Sequence, residues 1–258
     1  MIRSLFDLTR HEFRARDGDL GRVDDFYFDD ASWTVRYLVL ETGRWLPGRR
    51  KLIHPESVAG IDWSRRQVVL DLDREDIEKS PEPSADPPVS RQQLAALHEH
   101  YGLGPGWLAA PYPLDASGAL ASAATDVPPP AEEHAREDRL DPNLRSTKEL
   151  LGYELRGRDH ESAGVIDDVA CDDKSWQIRY VVADTRKWLP GRKFLVAVAW
   201  IDAIDTVERH ADVDLTREQL REAPTFDPRA PINRRYEERL FDFYGRPKYW
   251  AQEREAEG

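Results

Sequence analysis

Polar and apolar positions alternate loosely from His11 to Arg16, and Asp17-Gly18-Asp19 then supplies the residues of a hairpin turn. Gly21 to Phe28 reads as a second strand that stops at Asp29-Asp30. Trp33 to Glu41 is rich in β-branched and aromatic residues, which pack well on a pleated surface, and it is the strand expected to be most buried. The following Trp45-Leu46-Pro47-Gly48 cannot lie mid-strand, because proline lacks the ladder donor and glycine weakens the strand. It predicts a loop leading to a strand at Lys51–Ile53, with a shorter one at Gln67–Leu72. Strands at such close, even spacing with turn residues between them predict a small barrel or sandwich.

The pattern returns 143 positions later. Asp24-Asp25, Asp29-Asp30, Trp33, Arg36-Tyr37 and Trp45-Leu46-Pro47-Gly48-Arg49 reappear as Asp167-Asp168, Asp172-Asp173, Trp176, Arg179-Tyr180 and Trp188-Leu189-Pro190-Gly191-Arg192. Register holds through Tyr101-Gly102 against Tyr244-Gly245 and Trp107 against Trp250. The second copy carries one extra residue in its first turn, where insertions are tolerated. A period this long, seen twice, means duplicated domains, since solenoid units are a few tens of residues. The expectation is two independently closed barrels related by a pseudo-twofold axis, with Trp33 and Trp176 in the core covering a barrel end.

Each copy closes on a change of period. Ser90 and Asn233 stand where helix N-caps belong. Leu94, Leu97 and Tyr101 follow at helical spacing, as do Tyr236, Leu240, Phe243 and Tyr244, and Gly102 and Gly245 suit the left-handed residue after a last turn. The domains are therefore 1–107 and 148–258, joined by a Pro/Ala/Ser-rich linker at 108–147. Residues 113–140 offer little apolar surface to offset ordering entropy and are expected to be the least packed.

Composition narrows the function classes. The 258 residues are 33 % charged and carry a net −12, divided as −4 in each of 1–107, 108–147 and 148–258. No segment has the basic excess that phosphate-backbone binding requires, so nucleic acid is not an expected partner. No apolar run approaches the ~20 residues of a membrane helix, and the opening residues lack a secretory apolar region, which makes the cytoplasm the expected location. The single cysteine, Cys171, excludes an internal disulfide and a cysteine-based zinc site. It aligns with Phe28, which makes it a small core residue.

The candidate chemistry is sparse. The paired aspartates lack the spacing of a calcium loop, and they suit turn capping and strand-end charge. Arg36 and Arg179 lie within apolar strands, where a buried guanidinium needs an aspartate of its own unit. Trp45 with Arg49 and Trp188 with Arg192 form a candidate interaction surface, exposed Trp-Arg pairs being frequent hot spots; a Trp packed beneath its loop is the other reading. The histidines are scattered, and no nucleophile elbow, phosphate loop or HExxH segment occurs. The residues thus point to a non-enzyme with no cofactor and no catalytic or metal site.

The run Gly-x-Val-Asp-Asp-Phe-x-Phe-Asp-Asp-x-x-Trp-x-Val-Arg-Tyr-Leu-Val, followed by Trp-Leu-Pro-Gly-Arg, resembles the PRC-barrel domain, and the resemblance covers Asp7–Trp107 and Glu149–Trp250. That family is named after the cytoplasmic domain of the photosynthetic reaction-centre H subunit. The chain is most similar to stand-alone bacterial proteins with two such barrels. The resemblance implies a mainly β fold, two small antiparallel PRC-type barrels each followed by a short C-terminal helix. It implies a module that binds other macromolecules without turning over substrate, with an unidentified protein partner or a homo-oligomer. Tuning of electron transfer is implied by the family name alone. The alternative function is a small-molecule or ion sensor with its site between the barrels.

Overall fold

The computed structural model describes residues 1–43, 45–80, 82, 144–185, 192–228 and 230–251. The helix expected after Ser90, residues 113–140 and Trp188 fall outside them. The first half comprises β1 (Ile2–Ser4), α1 (Leu5–Leu8), β2 (Glu12–Ala15), β3 (Gly18–Asp29), β4 (Thr34–Glu41), β5 (Arg50–Ile53), β6 (Val58–Asp62), β7 (Gln67–Leu70) and α2 (Arg74–Lys79). The second half repeats this order as β8 (Leu144–Ser146), α3 (Thr147–Leu150), β9 (Glu154–Gly157), β10 (Ser162–Asp172), β11 (Ile178–Asp184), β12 (Lys193–Ala197), β13 (Ile201–Asp205), β14 (His210–Val213) and α4 (Arg217–Glu222). A longer helix, α5 (Arg234–Tyr244), follows.

Each half builds a mainly antiparallel sheet with one parallel pair, β2 with β7 and β9 with β14. The strand orders are β5-β4-β3-β2-β7-β6 and β12-β11-β10-β9-β14-β13. Neither sheet is closed among the described residues, so "barrel" fits them loosely. The seventh strand of each sheet comes from the other half. β1 pairs with β10, aligning Ile2 with Asp172 and Ser4 with Ala170. β8 pairs with β3, aligning Leu144 with Asp29 and Ser146 with Tyr27. The expectation of independently closed barrels is corrected on both counts. Leu144–Ser146, assigned to the linker from sequence, form the arm strand of the second half.

The reciprocity extends along the seam. Val35 N–H donates to Trp176 O at 2.9 Å and Ile178 N–H to Trp33 O at 2.7 Å, bracketing the Thr34–Gln177 bridge. Contacts of this i-to-j and j-to-i kind define a pseudo-twofold axis between Thr34 and Gln177. One continuous apolar core, including Leu5, Phe26, Val169, Trp176 and Leu195, passes through both halves.

Two local features explain residues that recur in the repeat. Gly21 and Gly164 adopt φ of +144° and +141° beside register shifts where β3 and β10 leave their first partner strand. A Cβ at Gly21 would sit 2.1 Å from Glu41 O, so only glycine lets the strands cross there. Trp33 and Trp176 do not open their strands; each ends a turn at φ 53° and 57°. Asp29 accepts from Ser32 N–H at 2.7 Å, and Asp172 from Lys174 N–H at 3.0 Å and Ser175 N–H at 3.1 Å, the turn-capping role expected of these pairs. Trp176 is buried and faces Phe26 of the other half, whereas Trp33 is half-buried and stacks on Phe28 at 5.3 Å.

α5 starts where its sequence indicated. Asn233 accepts from Tyr236 N–H at 3.0 Å, and Gly245 closes the helix at φ 62°. Its buried stripe includes Phe241 in place of Phe243, which is 43 % exposed. Phe241 is drawn inward by Trp200 at 5.2 Å and Trp250 at 5.1 Å. Cys171 is fully buried on β10, and burial raises its thiol pKa.

Candidate interaction site at the seam

Each three-residue arm is fastened at its end by side-chain hydrogen bonds to the other half. Ser4 ends β1 and caps α1, its Oγ accepting from Asp7 N–H at 2.9 Å. The same hydroxyl donates to Asp168 Oδ2 at 2.5 Å. Asp168 Oδ1 accepts from Phe6 N–H at 3.2 Å and from Val169 N–H at 2.7 Å. The second arm repeats the device. Ser146 donates to Asp25 Oδ2 at 2.5 Å, and Asp25 Oδ1 accepts from Lys148 N–H at 3.2 Å, Phe26 N–H at 2.7 Å and Thr147 Oγ1 at 3.0 Å. Each half thus supplies a buried carboxylate that caps the other half's first helical turn.

These carboxylates pay for their burial. Removal from water raises the pKa of Asp25, and it pushes Asp168 up to about 6 against the pull of Ser4 and two N–H groups. The neighbouring Asp24 behaves differently. Burial raises its pKa, but hydrogen bonds from Lys148 and Arg50 outweigh that and hold it below the usual carboxylate range. The register shifts between Val23 and Asp25 and between Ile166 and Asp168 permit consecutive aspartates to do separate work. Sequence reasoning treated the pairs as turn residues and missed this role. The Ser-x-x-Asp and Ser-x-x-Glu signatures at Ser4–Asp7 and Ser146–Glu149 are the signal that marks it.

Two hollows flank the seam. One, of about 280 Å³, lies between β3 and β10 and is lined by Leu5, Phe6, Val23, Phe26, Leu151 and Val169. The other, of about 740 Å³, mixes apolar and charged groups, with Arg10, Arg66, Asp7, Asp167 and Lys193 on its walls. Phe6, Leu151 and Asp168 border both. Phe6 is 49 % exposed and forms the ridge between the hollows.

The Trp-Leu-Pro-Gly residues fall elsewhere. Trp45 is half-buried, donates from Nε1 to Leu20 O at 2.7 Å and lies under Arg74, so the ring is packed into its own half. It borders a separate hollow with Phe13 and Arg22. Arg49 pairs with Glu82 at 2.6 Å. Arg192 donates to Arg221 O at 2.6 Å and to Ala223 O, closing the C-terminus of α4. Trp45, Arg49 and Arg192 are therefore not brought together at the seam. Arg36 reaches Ser32 Oγ at 3.5 Å, and Arg179 lies over the Tyr249 ring at 4.3 Å, both half-buried. The buried carboxylate of α5, Glu237, accepts from Tyr180 at 2.8 Å and Tyr249 at 2.7 Å. Among the described residues no three His, Cys, Asp or Glu side chains gather as a metal site, and no helix is long and apolar enough to cross a membrane.

The sheets and their exchanged arms define a mainly β protein made of two copies of one seven-stranded unit. Residues 142–220, from just before β8 into α4, match the PRC-barrel domain, so the second half carries that domain. The first half has the same strand order and falls outside the match. A comparison with curated proteins finds no match.

Proposed function

We propose that the chain is a non-catalytic interaction module, a tandem of two PRC-barrel units that presents the seam to a protein partner. The observation that carries this reading is Phe6, a large apolar side chain left 49 % exposed on a ridge that both halves build. An aromatic anchor beside an apolar hollow is the usual core of a binding hot spot. The ionisable groups nearby favour the same reading. Asp25 and Asp168 are committed to capping, and burial lowers the pKa of His11, leaving it a neutral core residue. A photo-crosslinking amino acid at position 6, expressed in the native host, should yield one discrete protein adduct. The same probe at Val207, 88 % exposed, is the control. No adduct, or equal smears from both positions, defeats the proposal.

The hollow of about 280 Å³ supports a second reading, a small-molecule sensor, since it is formed by both halves and is just below the ~300 Å³ where ligand pockets begin. Native mass spectrometry separates the two. A bound mass that Val169→Trp expels favours the sensor, and a clean apo mass with a position-6 adduct favours the interaction module.

A further inference from the structure

The duplication provides an internal comparison, because every residue of one arm has a counterpart in the other. Arm residues correspond at an offset of 142 and residues after the extra turn residue at 143. At the second arm, which shares the wall of the 280 Å³ hollow, the charges are paired. Lys148 is ion-paired with Asp24, which also holds Arg50. Arg209 lies over Tyr153 at 4.7 Å and donates to Leu151 O at 3.4 Å.

At the first arm the Asp24–Arg50 pair recurs as Asp167–Lys193, and the other groups are replaced or released. Phe6 stands where Lys148 does, so the ion pair is exchanged for an exposed ring. Arg10 stands where Gly152 does, and its guanidinium lies over Phe6 at 4.6 Å. His11 replaces Tyr153 and turns edge-on to Trp63 at 5.0 Å. Arg66, the counterpart of Arg209, is exposed and lines the 740 Å³ hollow beside Arg10. Asp167 on this side is taken by Lys193. Neither Arg10 nor Arg66 makes an ion pair among the described residues, and Asp7 is the nearby carboxylate they leave unmatched.

Building on the interaction-module reading, we propose that the Phe6–Arg10–Arg66 face binds an acidic segment of a protein partner. One aliphatic or aromatic side chain of that segment enters the 280 Å³ hollow, and its carboxylates meet Arg10 and Arg66. The charge argues for this occupant over others. Arg10 and Arg66 are both exposed on the wall of one hollow and make no ion pair among the described residues, and a guanidinium fork matches a carboxylate bidentately. The apolar hollow next to them supplies the desolvated centre that charge alone lacks. Phe6 joins the two parts, as wall of the hollow and as the ring under Arg10.

The test is selection of a displayed library of random twelve-residue peptides on the full chain, followed by fluorescence polarisation of the enriched peptides. The expected winners combine Asp or Glu with one large apolar residue and weaken as salt rises. Phe6→Lys and Arg10→Gly install residues that the second arm already accommodates, and Arg66→Ala removes an exposed side chain; circular dichroism checks that all three fold. Each should lower affinity by about tenfold. Enrichment of basic or uncharged peptides, no enrichment, or winners indifferent to all three substitutions overturns the proposal. A position-6 adduct together with non-acidic winners sinks this inference and leaves the interaction module standing. Absence of both adduct and enrichment sinks the two together.

Discussion

Asp168→Asn should make the protein more stable at pH 7.5. Asp168 is 9 % exposed, and burial raises its pKa from 3.8 to about 6. Between those values the native state keeps a proton that the unfolded chain has released. The group's contribution is therefore fully present below about pH 3.8 and is lost as pH rises through 6. At about 1.36 kcal/mol per unit, the ionised form at pH 7.5 costs roughly 3 kcal/mol relative to the protonated one. Asparagine mimics the protonated acid. Its Oδ1 keeps the Phe6 and Val169 N–H groups, and its amide can donate to Ser4 Oγ. Some of the gain is lost because the Ser4 hydroxyl must turn, which leaves about 1–3 kcal/mol.

Urea unfolding followed by tryptophan fluorescence at pH 4.5, 6 and 7.5 measures this. The variant should lead at pH 7.5, and the lead should shrink steadily as pH falls from 6 to 4.5. Comparing variant with parent matters, because Asp24 and Asp172, held below the usual range, lose their contribution in acid and act with the opposite sign. An Asp168→Asn protein that is weaker than the parent by 1 kcal/mol or so at pH 7.5, with a parallel pH profile, refutes the reasoning. It would mean that the charged cap outweighs its desolvation.

Two other outcomes follow from the seam and its strands. Gly21→Ala places a Cβ 2.1 Å from Glu41 O at φ +144°, so it should cost several kcal/mol, whereas Gly48→Ala, at φ +74° with nothing within 4 Å, should cost about 1 kcal/mol; equal melting curves would show that the β3–β4 crossing is pliable. Trp176→Ala should cost about 3–5 kcal/mol and Trp33→Ala clearly less, because the first is 7 % exposed and faces the other half while the second is half-buried; denaturation midpoints that shift equally would contradict that difference.

The parts legible in the sequence are those whose cause is local. Thr34–Glu41 is a strand because β-branched and aromatic residues run through it, and Asn233 and Gly245 bound α5 because cap chemistry acts within one turn. What was missed depends on distant residues. The three-residue arms are too short for any periodicity, and the strands they join lie in the other half. β6 and β13 break alternation at Ala59-Gly60 and Asp202-Ala203, where their register shifts, so no strand pattern survives there. Phe243 matches helical spacing as well as Phe241 does; the aromatic rings of Trp200 and Trp250 choose between them. The candidate site followed the same rule. The Trp-Leu-Pro-Gly loop attracted notice by its rare residues, yet the Trp45 indole is used to fasten the loop to Leu20.

Duplication also explains where the halves agree and where they part. The caps join the halves reciprocally, so a change at either buried aspartate breaks a contact that holds both sheets. Asp25 and Asp168 are identical for this reason, and Gly21 and Gly164 are identical because the strand crossing in each sheet leaves no room for a Cβ. Solvent-facing arm positions carry no reciprocal demand once both arms sit in one chain. There Phe6 corresponds to Lys148 and Arg10 to Gly152. In a symmetric dimer of one unit, any surface gained at one arm appears at both. Joining the copies removes that constraint, so one arm can keep an ion-paired surface around Asp24 while the other presents an apolar and cationic one around Phe6. The asymmetry thus lies at a place where the pseudo-twofold fold can change without weakening itself, which is where a binding surface is least costly to build.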